Sequence, residues 1–141
     1  MLKKRTFFWV GIPLCLVIGA AWVYHLYQKP HQSAGDVTAA FTIDADSLVR
    51  SYQQDEQGSN KKYLGKVIEV TGTIAEIQHT AQSEIWILSA PSANGGGVNC
   101  QLFPGAKTPD HHLQPGDKVS LKGRCTGFLM DVNLADCVIQ K

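Results

Sequence analysis

The chain changes its hydrophobic rhythm twice. Residues 7 to 26 are apolar with little interruption, the next stretch is small and polar, and from Lys66 onward apolar residues recur at alternate positions. A long unbroken apolar run fits a helix in lipid, whereas alternation fits strands with one face buried. Between the two regimes, Leu48, Val49 and Tyr52 stand at helical spacing behind Asp44 and Asp46, either of which can cap a helix N-terminus. A helix from about Asp46 to Gln57, ending near Gly58, is predicted.

Five strands are expected after it. "KVIEVTGTIAEI" alternates around Ile68, Val70 and Ile74, and Gly72 inside the run marks a bulge or bend. "EIWILS", "GVNCQLF", "DKVSLKGRC" and "DVNLADCVI" follow, separated by glycine, proline and polar clusters. "APSANGGG" reads as a hairpin connection. The longest break, Pro104 to Asp117, ends in Pro115-Gly116, a turn signal just before the fourth strand. Five short strands behind one helix, with the long excursion between strands three and four, predict a mainly β fold: a five-stranded Greek-key barrel of the OB type. In that barrel the fifth strand lies between the third and the fourth.

The first thirty residues add a location. Lys3, Lys4 and Arg5 precede a stretch without formal charge from Thr6 to Gln28. A helix over residues 7–27 would be about 30 Å long, enough to cross the hydrocarbon layer. Positive flanks stay on the cytoplasmic side, so the rest of the chain is expected outside, in the periplasm if the envelope has two membranes. The layout is then a basic stub at 1–6, a transmembrane anchor at 7–27, a tether at 28–43 and an OB domain at 44–141. A cleaved signal peptide with its site near Gly19, Ala20 and Ala21 is the competing reading, and it exports the domain equally. The longer apolar run, continuing through Trp22, Val23 and Leu26, favours the anchor. Leu14, rather than a small residue, precedes Cys15, which disfavours lipid modification there.

From His31 on there are nine Lys and Arg against twelve Asp and Glu, a net charge of −3. Proteins that bind nucleic acid through phosphates usually present a basic surface, so this balance argues against that partner. Lys118, Lys122 and Arg124, alternating along strand four, are the local exception.

Cys100, Cys125 and Cys137 fall on strands three, four and five. Thiols outside the cytoplasm tend to oxidise, and one bridge would stabilise a small barrel by about 2 to 4 kcal/mol. Cys137 could neighbour either of the others; the hairpin connection favours Cys125 with Cys137. Register opposes it, because a tight turn at Leu129 and Met130 sets Cys125 opposite Leu134. Three reduced, packed thiols are the remaining alternative.

No catalytic constellation is legible. His111 and His112 lie between Cys100 and Cys125, but no pair has the close spacing of a structural zinc site. "NGGG" lacks the Gly-Lys-Ser/Thr of a phosphate loop, and no Gly-x-Ser-x-Gly elbow occurs. Neither a metal nor a cofactor is expected, and no enzymatic activity.

The segments "YLGKVIEVTGTI", "VNCQLF" and "LQPGDKVSLKGRCTGFLMDVNLADCVI", with the helix before them, resemble the tRNA-anticodon-binding-like (tRNA_anti-like) OB-fold family of small exported bacterial proteins. The resemblance covers roughly Ala45 to Lys141 and implies an OB barrel held at the cell envelope. It carries no catalytic motif and no function, since fold and function part company readily. OB folds commonly bind through strands two and three and the loops joining strands one to two and four to five. Trp86, Gln101, Phe103, Phe128 and Met130 occupy those regions, with His79 and Gln82 nearby, and are the candidate ligand-binding residues. The expected function is a membrane-tethered, non-enzymatic binding module for an envelope protein or oligosaccharide. The alternative is a single-stranded nucleic acid or nucleotide binder that stacks bases on Trp86 or Phe128.

Overall fold

The computed structural model describes residues 15, 17–25, 33–107 and 112–140. It divides into two units, Met1–His31 and Gln32–Lys141. In the first, residues 17–25 are helical, and Val17, Ile18, Trp22, Val23 and Tyr24 are exposed. Among the described residues no helix is long and apolar enough to cross a membrane. About half of the span expected over 7–27 falls outside those residues.

The second unit begins earlier than the predicted domain. A 3-10 turn at Ala34–Asp36 buries Ala34, and β1 (Phe41–Asp44) pairs in parallel with β2, Phe41 against Ile68 and Asp44 against Thr71. From residue 33 on, the expected tether is therefore part of the folded unit. Its small polar composition hid a strand of only four residues. Phe41 fixes this strand by packing edge-on against Tyr63, ring centroids 5.5 Å apart.

The predicted helix is present but broken. Its first part, α1 (Ala45–Gln54), starts where the Asp44 carboxylate accepts from Ser47 N at 2.9 Å. That bond to the backbone, followed by one to the Ser47 side chain, holds the Asp44 carboxyl below its usual range. Asp55 ends α1 and caps α2 (Glu56–Tyr63), accepting from Gly58 N at 2.9 Å. The buried stripe Ala45, Leu48, Val49 and Tyr52 faces the barrel.

The barrel is made of the five expected strands: β2 (Val67–His79), β3 (Glu84–Ser89), β4 (Gly97–Leu102), β5 (Lys118–Phe128) and β6 (Val132–Gln140). β2 bends so that its first half pairs with β5, from Val67 opposite Arg124 to Thr73 opposite Lys118, while its second half pairs with β3. The register shifts between Ile74 and Glu76, two residues past Gly72. Gly72 has a separate packing role, since a Cβ there would lie 3.0 Å from Ala45 Cβ of α1. β6 runs parallel to β4 and antiparallel to β5, closing the ring β2-β3-β4-β6-β5. The strand order is the one expected of an OB barrel.

Alternation in the strands fills the interior. Ile68, Val70 and Ile74 of β2 meet Trp86 and Leu88 of β3, Val98 and Cys100 of β4, Leu121 and Cys125 of β5, and Val132 and Leu134 of β6. Burying each large aliphatic side chain contributes roughly 1.5 to 3 kcal/mol.

β6 breaks its alternation once. Arg124 opposes Ala135 and Lys122 opposes Val138, so Gly123 faces two residues, Asp136 and Cys137. Asp136 takes φ 54°, a left-handed conformation that turns Cys137 inward, where it is fully buried. A Cβ at Gly123 would collide with Cys137 Sγ.

This geometry corrects the favoured bridge. Cys125 and Cys137 are not joined; all three barrel cysteines are free and buried. Cys125 stands opposite Leu134, and its Sγ lies 3.3 Å from the Tyr52 hydroxyl. The Cys100 thiol, followed by burial, pushes the Cys137 thiol well up.

Candidate functional site

A groove of about 610 Å³ crosses the outer faces of β3, β4, β6 and β5. Its size lies within the roughly 300 to 1,000 Å³ of typical ligand sites. Outward parity supplies the central residues: Ile85 pairs with Gln101, Asn99 with Asn133, and Asn133 with Gly127. Thr126 and Phe128 continue the wall along β5, the β5–β6 loop adds Leu129, and α2 with the turn after it adds Asn60 and Leu64. No formally charged side chain lines this groove among the described residues.

Asp131 organises the amides at one end. Its Oδ1 accepts from Gly97 N at 2.6 Å and its Oδ2 from Asn99 Nδ2 at 3.3 Å, while its carbonyl accepts from Asn133 Nδ2 at 3.1 Å. Asn99 Nδ2 also lies 3.5 Å from Asn133 Oδ1. Asn60 Oδ1 and Asn99 Oδ1 are buried and accept no hydrogen bond. Leaving such an acceptor unmet costs about 1 to 3 kcal/mol, and both belong to side chains of this groove.

The expected binding residues divide. Gln101 lines the groove, with its Nε2 donating to Ser83 Oγ at 3.2 Å. Phe128 lines it too, held by a stack on Tyr52 with centroids 5.4 Å and planes 21° apart. Burial, and then the bond to Cys125, raises the Tyr52 phenol well above its usual value, so it stays neutral beneath Phe128. Met130 is 82% exposed at the hairpin tip, beside Leu129 at 87%, and does not line the groove.

Trp86 is a correction: it is 2% exposed, inside the barrel, with its indole donating to Glu84 Oε2 at 3.1 Å. It offers no stacking surface. Phe103 lies apart, in a cavity of about 300 Å³ shared with His79 and Gln82. A third cavity, about 860 Å³, lies against Thr71, Leu113, Lys118 and Val119, and collects none of the candidates for ligand binding. Of the basic residues on β5, Lys122 Nζ donates to Gly35 O at 3.0 Å and Arg124 Nη1 to Gly65 O at 3.1 Å. His111 lies outside the described residues, and no cluster of three potential metal ligands occurs among the described ones.

Asn60, Leu64, Asn99, Leu129 and Asn133 were not anticipated. For Asn99 and Asn133 the signal, a polar residue at an outward strand position, becomes legible only once the parallel β4–β6 pairing sets one beside the other.

Comparison with known proteins agrees with the barrel. A crystal structure of a candidate nucleic acid-binding lipoprotein from Klebsiella pneumoniae subsp. pneumoniae superposes with a TM-score of 0.52 at 15% identity, covering 70% of this chain and 91% of that one. The telomere capping protein Ten1 from Saccharomyces pombe gives a TM-score of 0.42 at 15% identity, covering 74% of this chain and 81% of that one. No curated protein sequence matches. The model of one family, tRNA_anti-like, matches residues 1–139, so the match takes in the N-terminal segment as well as every strand of the barrel. With the barrel closed in the OB order and the match running over nearly the whole length, the chain belongs to the tRNA_anti-like family.

Proposed function

We propose that this protein is a membrane-tethered, extracytoplasmic and non-enzymatic binding module that engages an envelope protein or oligosaccharide through the groove across β3, β4, β6 and β5. One observation carries the reading. The groove lies on the face and loop that OB folds use for ligands, and its wall combines amide and apolar side chains without charge. A site of this kind favours an uncharged polar ligand over a polyanion. The basic stub and the apolar run at 7–27 support the tether.

The nucleic-acid reading draws on the description given to the Klebsiella protein, whose likeness here is one of fold. It loses support from two of the three β5 cations, because Lys122 and Arg124 are engaged with backbone carbonyls. It also loses Trp86 as a stacking platform.

The test is a pull-down from envelope membranes with the intact chain and with a variant carrying both Gln101→Arg and Thr126→Arg. Both positions are exposed on the groove wall, so the arginines obstruct it without disturbing the core. Capture by the intact chain and loss in the variant is the expected result. Equal capture by both would move the site elsewhere. Salt-sensitive retention of a short oligodeoxynucleotide would favour the nucleic-acid reading.

A further inference from the structure

We infer that the groove takes a neutral oligosaccharide, with Phe128 as the platform for a sugar ring and the amides of Asn60, Asn99, Gln101 and Asn133 as partners for its hydroxyls. The inference rests on the groove being the binding site, as proposed above, and narrows its ligand to one class.

The chemistry of the wall matches such a ligand on three counts. A sugar hydroxyl both donates and accepts, and so does a side-chain amide; four amides line this groove. Two of them, Asn60 and Asn99, hold buried oxygens that accept nothing. Rotating the Asn60 amide toward a ligand hydroxyl exchanges an unmet acceptor for a made hydrogen bond, whereas Asn99 gives up its bond to Asp131 in doing so, and the unliganded groove thus holds part of its binding energy in reserve at Asn60. The third match is Phe128. Its ring is clamped by Tyr52 and so costs little ordering entropy on contact, while the apolar C–H face of a pyranose suits an aromatic surface.

Strand topology disfavours an extended peptide. Peptides commonly gain affinity by adding a strand to an open sheet edge. Here β4 is paired on both sides, by β3 and β6, and β6 is paired by β4 and β5. The groove crosses a sheet face and offers no edge, so a peptide backbone there would lack its regular partners. The lack of charged lining also disfavours acidic glycans.

The test uses the full-length chain in a detergent whose headgroup contains no sugar. Side-chain amide NMR signals are followed while cellotetraose, chitotetraose, maltotetraose and an acidic hyaluronan tetrasaccharide are added separately. At least one neutral tetrasaccharide is expected to shift the Asn99, Asn133 and Gln101 amides more than the acidic one. Gln101→Ala should weaken that binding roughly 2- to 12-fold, the worth of one hydrogen bond. Gln101 is exposed, so the variant keeps its core, and unchanged backbone spectra would confirm this.

Groove signals unmoved by every neutral sugar, or moved more by the acidic one, would overturn the inference. If the sugars fail while an envelope protein captured by the intact chain shifts the same amides, the groove stands as a protein site. If both fail, the reading of the groove falls with the inference.

Discussion

Gly123 and Cys137 show how tightly single positions are specified. The bulge in β6 puts a sulfur where a side chain on Gly123 would go. Gly123→Ala is expected to destabilise the domain by about 1 to 3 kcal/mol through overpacking, read as a lower urea midpoint. Adding Cys137→Ala should return part of the loss. Two buried acids set the response to alkali. The Cys137 thiol and Tyr52 phenol are both raised above their ordinary values of 9.0 and 10.0. Raised acids stay protonated in the fold while the unfolded chain loses its protons. Their contribution is thus complete at neutral pH and declines as pH rises above about 9 toward the folded-state values. The urea midpoint should fall between pH 8 and pH 10.5, and fall less in Tyr52→Phe. Trp86 was misread at this scale because β3 is apolar on both faces, Trp86 and Leu88 on one and Ile85 and Ile87 on the other. Alternation alone could not tell which was inside.

Among the elements, all five strands of the predicted barrel were legible because β-branched residues alternate between clear turn signals. The helix was legible from its cap and stripe, but the capping role of Asp55, which breaks it, was not. β1 escaped notice because four residues give no period to read. The β5–β6 hairpin combines both outcomes. The expected alignment of Cys125 with Leu134 is present, yet it arises from a three-residue loop plus a bulge at Thr126 rather than from a tight turn. Asp131 at the end of that loop ties the hairpin to β4 through Gly97 and Asn99. Asp131→Ala leaves the buried Gly97 N–H without its acceptor and should cost about 1 to 3 kcal/mol. Thermal unfolding reads that loss, and the Asn99 side-chain amide should narrow toward a freely rotating signal.

For the whole molecule, the folded unit reaches back past the predicted boundary at residue 44. A chain beginning at Ala45 would lack the buried Ala34, the Phe41–Tyr63 contact and the pairing of β1 with β2. It should be less stable than one beginning at Gln32 by about 2 kcal/mol or more, measured by urea unfolding. The groove was legible in outline, through Gln101 and Phe128. Its amides were not, because they come together across strands more than thirty residues apart in sequence. The same wiring governs when the barrel can be completed. β6, the C-terminal strand of the barrel, is the wedge between β4 and β5. A polypeptide emerging from its N-terminus therefore keeps an open, unfinished sheet until Val132–Gln140 has been made, and the ring cannot close before that segment is free to insert.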